Sequence, residues 1–158
     1  MNIKIREANQ KDYKELDGIF AEGDEYHRKA LPGIFQSAER PARLEEFFSK
    51  IIKDEDQTLF VAEDENKIIG FVYVRIFDSP KIPIFVQRRH AEIDSLVVNN
   101  EYRRKGVGRA LMEKAEVWIK DKGVGEIELH VYEFNKEAIE FYEKLGYNTR
   151  SRRMYKRF

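Results

Sequence analysis

The sequence contains no cysteine, which excludes a disulfide framework, a thiol nucleophile and any cysteine-ligated metal. It has no excess of one charge: Lys and Arg together number 29, as do Asp and Glu. A chain balanced in this way gives no electrostatic case for binding nucleic acid or another polyanion. No window approaches the length of a membrane span, and Met1 to Arg6 alternate rather than forming the apolar stretch of a secretory leader. A cytoplasmic protein is the expectation, with neither nucleic acid nor membrane as partner. Internal repeats, low-complexity stretches and flexible linkers are also missing. The 158 residues suit one domain, 1–158, with a core of useful size. The three histidines, His27, His90 and His130, show no ligand spacing, so no metal is expected. His130, on a strand, reads as packed or paired.

What the sequence does have is periodicity. Ile3 and Ile5 alternate with Lys4 and Arg6, a strand over roughly residues 2–6. Asn9 reads as a helix cap, with Asp12 three residues later as an imperfect capping box. Tyr13, Leu16, Ile19 and Phe20 stripe that helix, and Gly23-Asp24 loosen it. Tyr26 to Ser37 read as irregular around a Pro32-Gly33 turn. Pro41 suits the first turn of a second helix, striped by Leu44, Phe47, Phe48, Ile51 and Ile52. Thr58 to Ala62 and Lys67 to Phe77 form a hairpin, and Gly70 marks a bulge or a close backbone approach. His90 to Val98 reads as a central strand, followed by a helix over about Gly106 to Lys122 and a strand over Glu126 to Val131. Asn135 caps a last helix, Phe134 and Ile139 suit a hydrophobic staple around it, and Gly146 ends it. The tail, Tyr147 to Phe158, reads as one or two short strands with exposed cations. The order predicts a mixed, mostly antiparallel sheet with helices on both faces.

Between the central strand and its helix lie Arg103, Arg104, Lys105, Gly106, Val107, Gly108, Arg109 and Ala110. A strand, a basic glycine loop and a helix start are suited to holding phosphate: glycines permit close approach, free amides point outward, and arginines add charge. The loop is neither a Walker A motif nor a Rossmann fingerprint, since the lysine–serine pair and the third glycine are missing. Taken by itself, it also fits a basic solvated turn.

As Arg103-x-x-Gly106-x-Gly108, the loop resembles the Arg/Gln-x-x-Gly-x-Gly/Ala signature of the GNAT N-acetyltransferase family. A second element, Asn135 to Tyr147, is similar to the family's closing Asn-x-x-Ala-x-x-Phe-Tyr-x-x-x-Gly-Phe pattern. The resemblance implies an α/β fold of the acyl-CoA N-acyltransferase type. It also implies acetyl-coenzyme A as co-substrate, its pyrophosphate on the loop amides and its pantetheine arm along the main chain near Leu96, Val97 and Val98. An amine acceptor, small molecule or peptide, is implied with it.

Acetyl transfer to an amine requires removal of a proton, stabilisation of an oxyanion and care of a leaving thiolate. By the resemblance, Tyr142 serves the thiolate; as a residue on an apolar stripe it also reads as a core aromatic. Glu92 and Asp94, two apart and hence on one strand face, are candidate bases. Glu92 is favoured because many relatives carry a glutamate near this point, and a salt-bridged pair is the structural alternative. Asn135 both caps its helix and is placed to bond the cofactor arm. Tyr26, His27 and Phe35 are expected in the loop between the first two helices, where this fold recognises its acceptor. Glu22, Asp24 and Glu25 nearby would suit a cationic one. Direct attack is expected, since no residue offers itself as an acyl carrier. The alternative function is an acyl-CoA sensor that binds without turnover. Exposed aromatics such as Phe77 and Phe85 would allow a homodimer.

Overall fold

The alternating N-terminus forms β1 (Lys4–Glu7), antiparallel to β2 (Gln57–Asp64). In this computed structural model, which describes residues 1–158, Asn9 and Asp12 complete the capping box. The Asn9 amide donates to Asp12 at 2.8 Å, and Arg6 grips the same carboxylate through two further bonds. Helix α1 then runs unbroken over Tyr13–Ala30. This corrects the expectation that Gly23-Asp24 loosen it and that Tyr26 begins a loop. Gly23 is seated on β4, where an added Cβ would lie 3.0 Å from a methyl of Val97. Close packing there offsets the roughly 1 kcal/mol that a mid-helix glycine costs.

Helix α2 spans Glu45–Lys53, so Pro41 lies in the preceding loop rather than in the first turn. Only Phe48 and Ile51 of its expected stripe are buried; Leu44, Phe47 and Ile52 remain exposed. Strands β2 and β3 (Lys67–Asp78) are joined by a two-residue turn in which Glu65 and Asn66 both adopt positive φ, the twist that suits a hairpin. Strand β4 (Arg89–Val98) follows antiparallel, then α3 (Val107–Asp121), β5 (Ile127–Leu129) and α4 (Lys136–Lys144).

The sheet order is β1-β2-β3-β4-β5, antiparallel except for the parallel β4–β5 pair. Alternation along β2 and β3 divides the core in two. Leu59, Val61, Ile68, Phe71 and Tyr73 face α1 and α2, whereas Phe60, Ala62, Val72 and Val74 face α3. The mixed sheet covered on both faces agrees with the sequence pattern.

The strand expected over Glu126 to Val131 forms but is shorter, three residues of β5, whereas the tail from Tyr147 has no regular structure. The reason lies in the tail's pattern: the face that carries Met154 and Phe158 also carries Arg150, Arg152 and Lys156, so pairing would bury little apolar surface. Arg150 ties the tail to Glu126 and Glu128 on β5. His130 is exposed just past β5, neither packed nor on a strand.

Gly70 flanks a bulge, with Ile69 as the extra residue, and is also a close approach. The β2–β3 register slips between Ala62 and Glu63, and a Cβ at position 70 would lie 2.7 Å from the Val97 carbonyl oxygen. Gly70→Ala should therefore cost about 1–3 kcal/mol in urea unfolding, because backbone rather than a flexible side chain must yield. A variant as stable as wild type would show that β4 shifts freely there.

Candidate active site

The site begins where β5 stops. Strand β4 pairs with it only at Ala91–Ile127, Glu92–Glu128 and Ile93–Leu129, and then continues to Val98 with β3 as its one partner. The register against β3 jumps at the same point: Val74 opposes Ile93 but Tyr73 opposes Ser95, leaving Asp94 as an extra residue. A bulge of this kind reverses which residues point each way. Before it, the Ala91 amide donates toward β5, to the Glu126 carbonyl at 2.9 Å. After it, the Asn99 amide donates toward β3, to Ile69 at 2.8 Å. By alternation, the main chains of Leu96 and Val98 face the side that β5 has vacated. Val97 is oriented otherwise, its side chain packed toward α1.

This open edge leads into the glycine loop. Asn99 caps a single turn at Asn100–Tyr102 and donates from Nδ2 to Glu22 of α1 at 2.6 Å. Arg104 and Gly106 then adopt positive φ, 59° and 84°. Gly106 occupies the cap position of α3 and brings no side-chain acceptor, and the first turn carries no acidic residue. The amides of Val107, Gly108 and Arg109 are therefore left for a ligand, at the positive end of the helix dipole. Ala110 is the first to bond within the helix, to the Gly106 carbonyl at 3.0 Å. Gly108 also lets α4 approach: a Cβ there would already touch the Phe141 ring at 3.4 Å.

The loop cations divide by role. Lys105 and Arg109 are exposed, Lys105 lying over the Tyr102 ring. Arg104 pairs with Glu137 of α4. Arg103 turns inward, donating from Nε to the Val98 carbonyl at 3.1 Å beside the Tyr26 ring.

Helix α4 contributes Asn135 and Tyr142. Asn135 Oδ1 caps the helix, accepting from the Ala138 amide at 3.2 Å, and Tyr26 hydroxyl donates to the same oxygen at 3.4 Å. Phe134, just before the cap, packs with Tyr26, His27 and Tyr132. Gly146 at φ 92° closes the helix, with the Tyr147 amide returning to the Tyr142 carbonyl at 3.0 Å. Tyr142 packs between Phe141 and Tyr147, and its hydroxyl has no hydrogen-bond partner within the protein. Burial pushes this phenol up to about 12. The neighbouring Tyr147 hydroxyl is buried without a partner, and burial raises it above its ordinary value as well.

Glu92 and Asp94 are both partly exposed and meet at one side chain that the sequence reading missed. Arg75 Nη2 lies 2.7 Å from Glu92 Oε1 and 2.8 Å from Asp94 Oδ1. Burial opposes the Arg75 charge, but the hydrogen bond to Glu92 and the two negative charges outweigh it and raise the guanidinium above its ordinary value. The Ser95 hydroxyl donates to Asp94 Oδ2 at 2.8 Å. Both Asp94 oxygens are thus engaged, whereas Glu92 Oε2 is free. A signal for Arg75 was present: it is the single cation in an otherwise apolar stretch, Ile68 to Phe77.

The acceptor-loop residues are placed differently from expectation. Tyr26 and His27 belong to the last turns of α1, and only Phe35 lies in the loop. His27 sits among Tyr26, Phe35, Tyr132 and Phe134, with Nδ1 against the Gly23 carbonyl at 2.8 Å. The acidic trio is consumed locally and lines no free anionic pocket. Glu22 binds Asn99, Asp24 binds Arg40 and Arg43, and Glu25 binds Arg28.

The family model described as Acetyltransferase (GNAT) family matches residues 21–147. An uncharacterized N-acetyltransferase of Methanocaldococcus jannaschii is 36% identical over 104 residues, 66% of this chain and 45% of that protein. An N-alpha-acetyltransferase of Sulfolobus acidocaldarius is 32% identical over 152 residues, 93% of this chain and 80% of that protein. The chain spans 41% to 62% of the length of the first four curated relatives it matches. Among solved structures, a tetramutant of BH1408 protein from Bacillus halodurans superposes with a TM-score of 0.91 at 32% identity, covering 98% of this chain and 99% of that one.

A phenol raised by burial keeps its proton well above neutrality, because the charged phenolate is the form that burial disfavours. Titration of tyrosinate absorbance should show Tyr142 ionising near pH 12, about two units above a free phenol. Tyr142→Phe should remove one late-titrating group; loss of an early one would place Tyr142 in water.

Proposed function

Because the chain belongs to the GNAT acetyltransferase family, we propose that it transfers the acetyl group of acetyl-coenzyme A to a primary amine of a small molecule or peptide. One observation carries this reading: a strand edge left open by its neighbour runs directly into an uncapped, cation-flanked helix N-terminus.

In this reading the pantetheine arm pairs with Leu96 and Val98, taking the place that β5 leaves. Arg103 then exchanges its bond to the Val98 carbonyl for the ligand. The pyrophosphate is held by the amides of Val107, Gly108 and Arg109, with Lys105, Arg104 and Arg109 supplying charge and Ala110 completing the turn. Asn135 spends Oδ1 on its helix cap, which leaves Nδ2 free to donate to the arm, so capping and binding are compatible.

The two faces of the sheet divide the chemistry. Glu92 lies on the α1 side, opposite to Ala91 and Ile93, which pack toward α3. Tyr142 packs on the α3 side. The gap beyond Leu129 joins the two faces, so the amine approaches from one and the thiol departs toward the other. Glu92 Oε2 takes the amine proton. A thiol ordinarily ionises near ~8.5, below Tyr142, so the Tyr142 hydroxyl acts on the departing thiolate as a hydrogen-bond donor. The open main chain of β4 supplies the oxyanion donor. Attack is direct, in a ternary complex. The engagement of Glu92 by Arg75 favours a second reading, an acyl-CoA sensor without turnover; the free Oε2 and unpartnered Tyr142 hydroxyl weigh toward catalysis.

Calorimetric titration should show binding of acetyl-coenzyme A and coenzyme A at micromolar or better affinity, and none of ATP. Gly108→Asp should weaken it at least roughly 100-fold, because a carboxylate is set at the phosphate end of the helix. Failure to bind either coenzyme A ligand would remove the reading. Tyr142→Phe should lower kcat about tenfold or more while leaving coenzyme A affinity intact. Unaltered turnover would make Tyr142 a packing residue.

A further inference from the structure

The contact between Arg75 and the two carboxylates is asymmetric in a way that acetyl transfer can use. A single nitrogen, Nη2, serves both Glu92 Oε1 and Asp94 Oδ1. The guanidinium is held from its own strand, 4.9 Å from the Phe77 ring centroid and 5.8 Å from that of Tyr73. Tyr73 is itself fixed by a hydrogen bond to Gln57. With its side chain one-third exposed, the ion pair adds little to stability, so stability does not account for a cation sandwiched in a sheet face.

The geometry points to Arg75 as a positioning residue for Glu92, with Asp94 as its second anchor and not as a base. This inference rests on the acetyl-transfer reading of the same site. Asp94 has a partner at each oxygen, since Arg75 lies 2.8 Å from Oδ1 and the Ser95 hydroxyl donates to Oδ2. Glu92 is gripped at Oε1 alone, which anchors the carboxylate and leaves Oε2 as the one unpartnered oxygen of the pair. An amine arriving as its ammonium ion gives one proton to Oε2, which frees its lone pair for attack; as the carbon–sulfur bond breaks, the second proton goes to the departing sulfur, so that amide and thiol are formed. One guanidinium against two carboxylates also leaves the patch with a single net negative charge, which suits an amine arriving as its ammonium form.

Two measurements on the full-length protein test this separately from the function itself. The first is nitrogen-detected NMR of arginine side chains in the ligand-free protein. Arg75 should show separate Nη resonances from hindered rotation, merging in the Glu92→Gln/Asp94→Asn double variant. Free rotation of Arg75 in wild type overturns the proposal, whatever the activity. The second is thiol release from acetyl-coenzyme A with a panel of polyamines, amino-acid esters and peptides with free N-termini. Arg75→Gln should lower kcat about tenfold with KM for acetyl-coenzyme A unchanged, and Arg75→Lys should recover most of it. In a Glu92→Gln background, Arg75→Gln should cause no further loss. An undiminished loss there overturns the proposal, since Arg75 would then act elsewhere. A wild type with hindered Arg75 but no transfer to any amine overturns the transfer reading, and any catalytic role for Arg75 with it.

Discussion

One extra residue in β4 organises the site. Asp94 interrupts the ladder to β3, and the interruption changes the direction of every peptide group after it. Below the bulge β4 is an interior strand, with Ala91 bonded to the β5 side. Above it β4 is an edge, with the Leu96 and Val98 main chains directed into the space beyond Leu129. The same half-turn keeps apolar side chains on the α3 face on both sides: Ala91 and Ile93 before the bulge, Leu96 and Val98 after it. The bulge moves this pattern from the odd residues to the even ones, and it sets Glu92 and Asp94 where one Arg75 nitrogen reaches both.

The balanced composition hides a strongly local use of charge. Acids on α1 that looked free in the sequence are bound within the fold, Glu22 to the end of β4 and Asp24 to two arginines of the following loop. Glu22 ties α1 to the end of β4 and Asp24 ties it to the loop before α2. Around the glycine loop the reverse holds. Gly106 brings no acidic cap, and Lys105 and Arg109 remain exposed. Net neutrality over the chain is therefore compatible with a concentrated positive end at α3, because the balancing acids are spent elsewhere.

The parts of this arrangement set by near neighbours were legible in the sequence. Asn9 with Asp12, Asn135 before α4, Gly146 after it and the striping of α3 are all decided within a turn or two of chain. The two family-like motifs fall at the loop and at α4, as their spacing implied. What the sequence did not disclose depends on distant partners. Gly23 reads as a break until Val97 is beneath it. Pro41 reads as a helix start until the loop ahead of Glu45 is seen to hold it. Arg75 gains its meaning only from a strand partner whose alignment the bulge itself sets. The tail was misread for the converse reason: it has the length of a strand, but cations interrupt the one face that carries Met154 and Phe158.

The open edge of β4 carries a consequence of another kind. Unpaired peptide groups along a strand end are a template on which a second polypeptide can add itself as a further strand. A protein that keeps such an edge available must therefore guard it while it waits. Arg103 does this from within the loop: its guanidinium, bonded to the Val98 carbonyl, shortens the unpaired run and sets a cation at its end. The side chain that opens the motif thus leaves one fewer free carbonyl on which another strand could build.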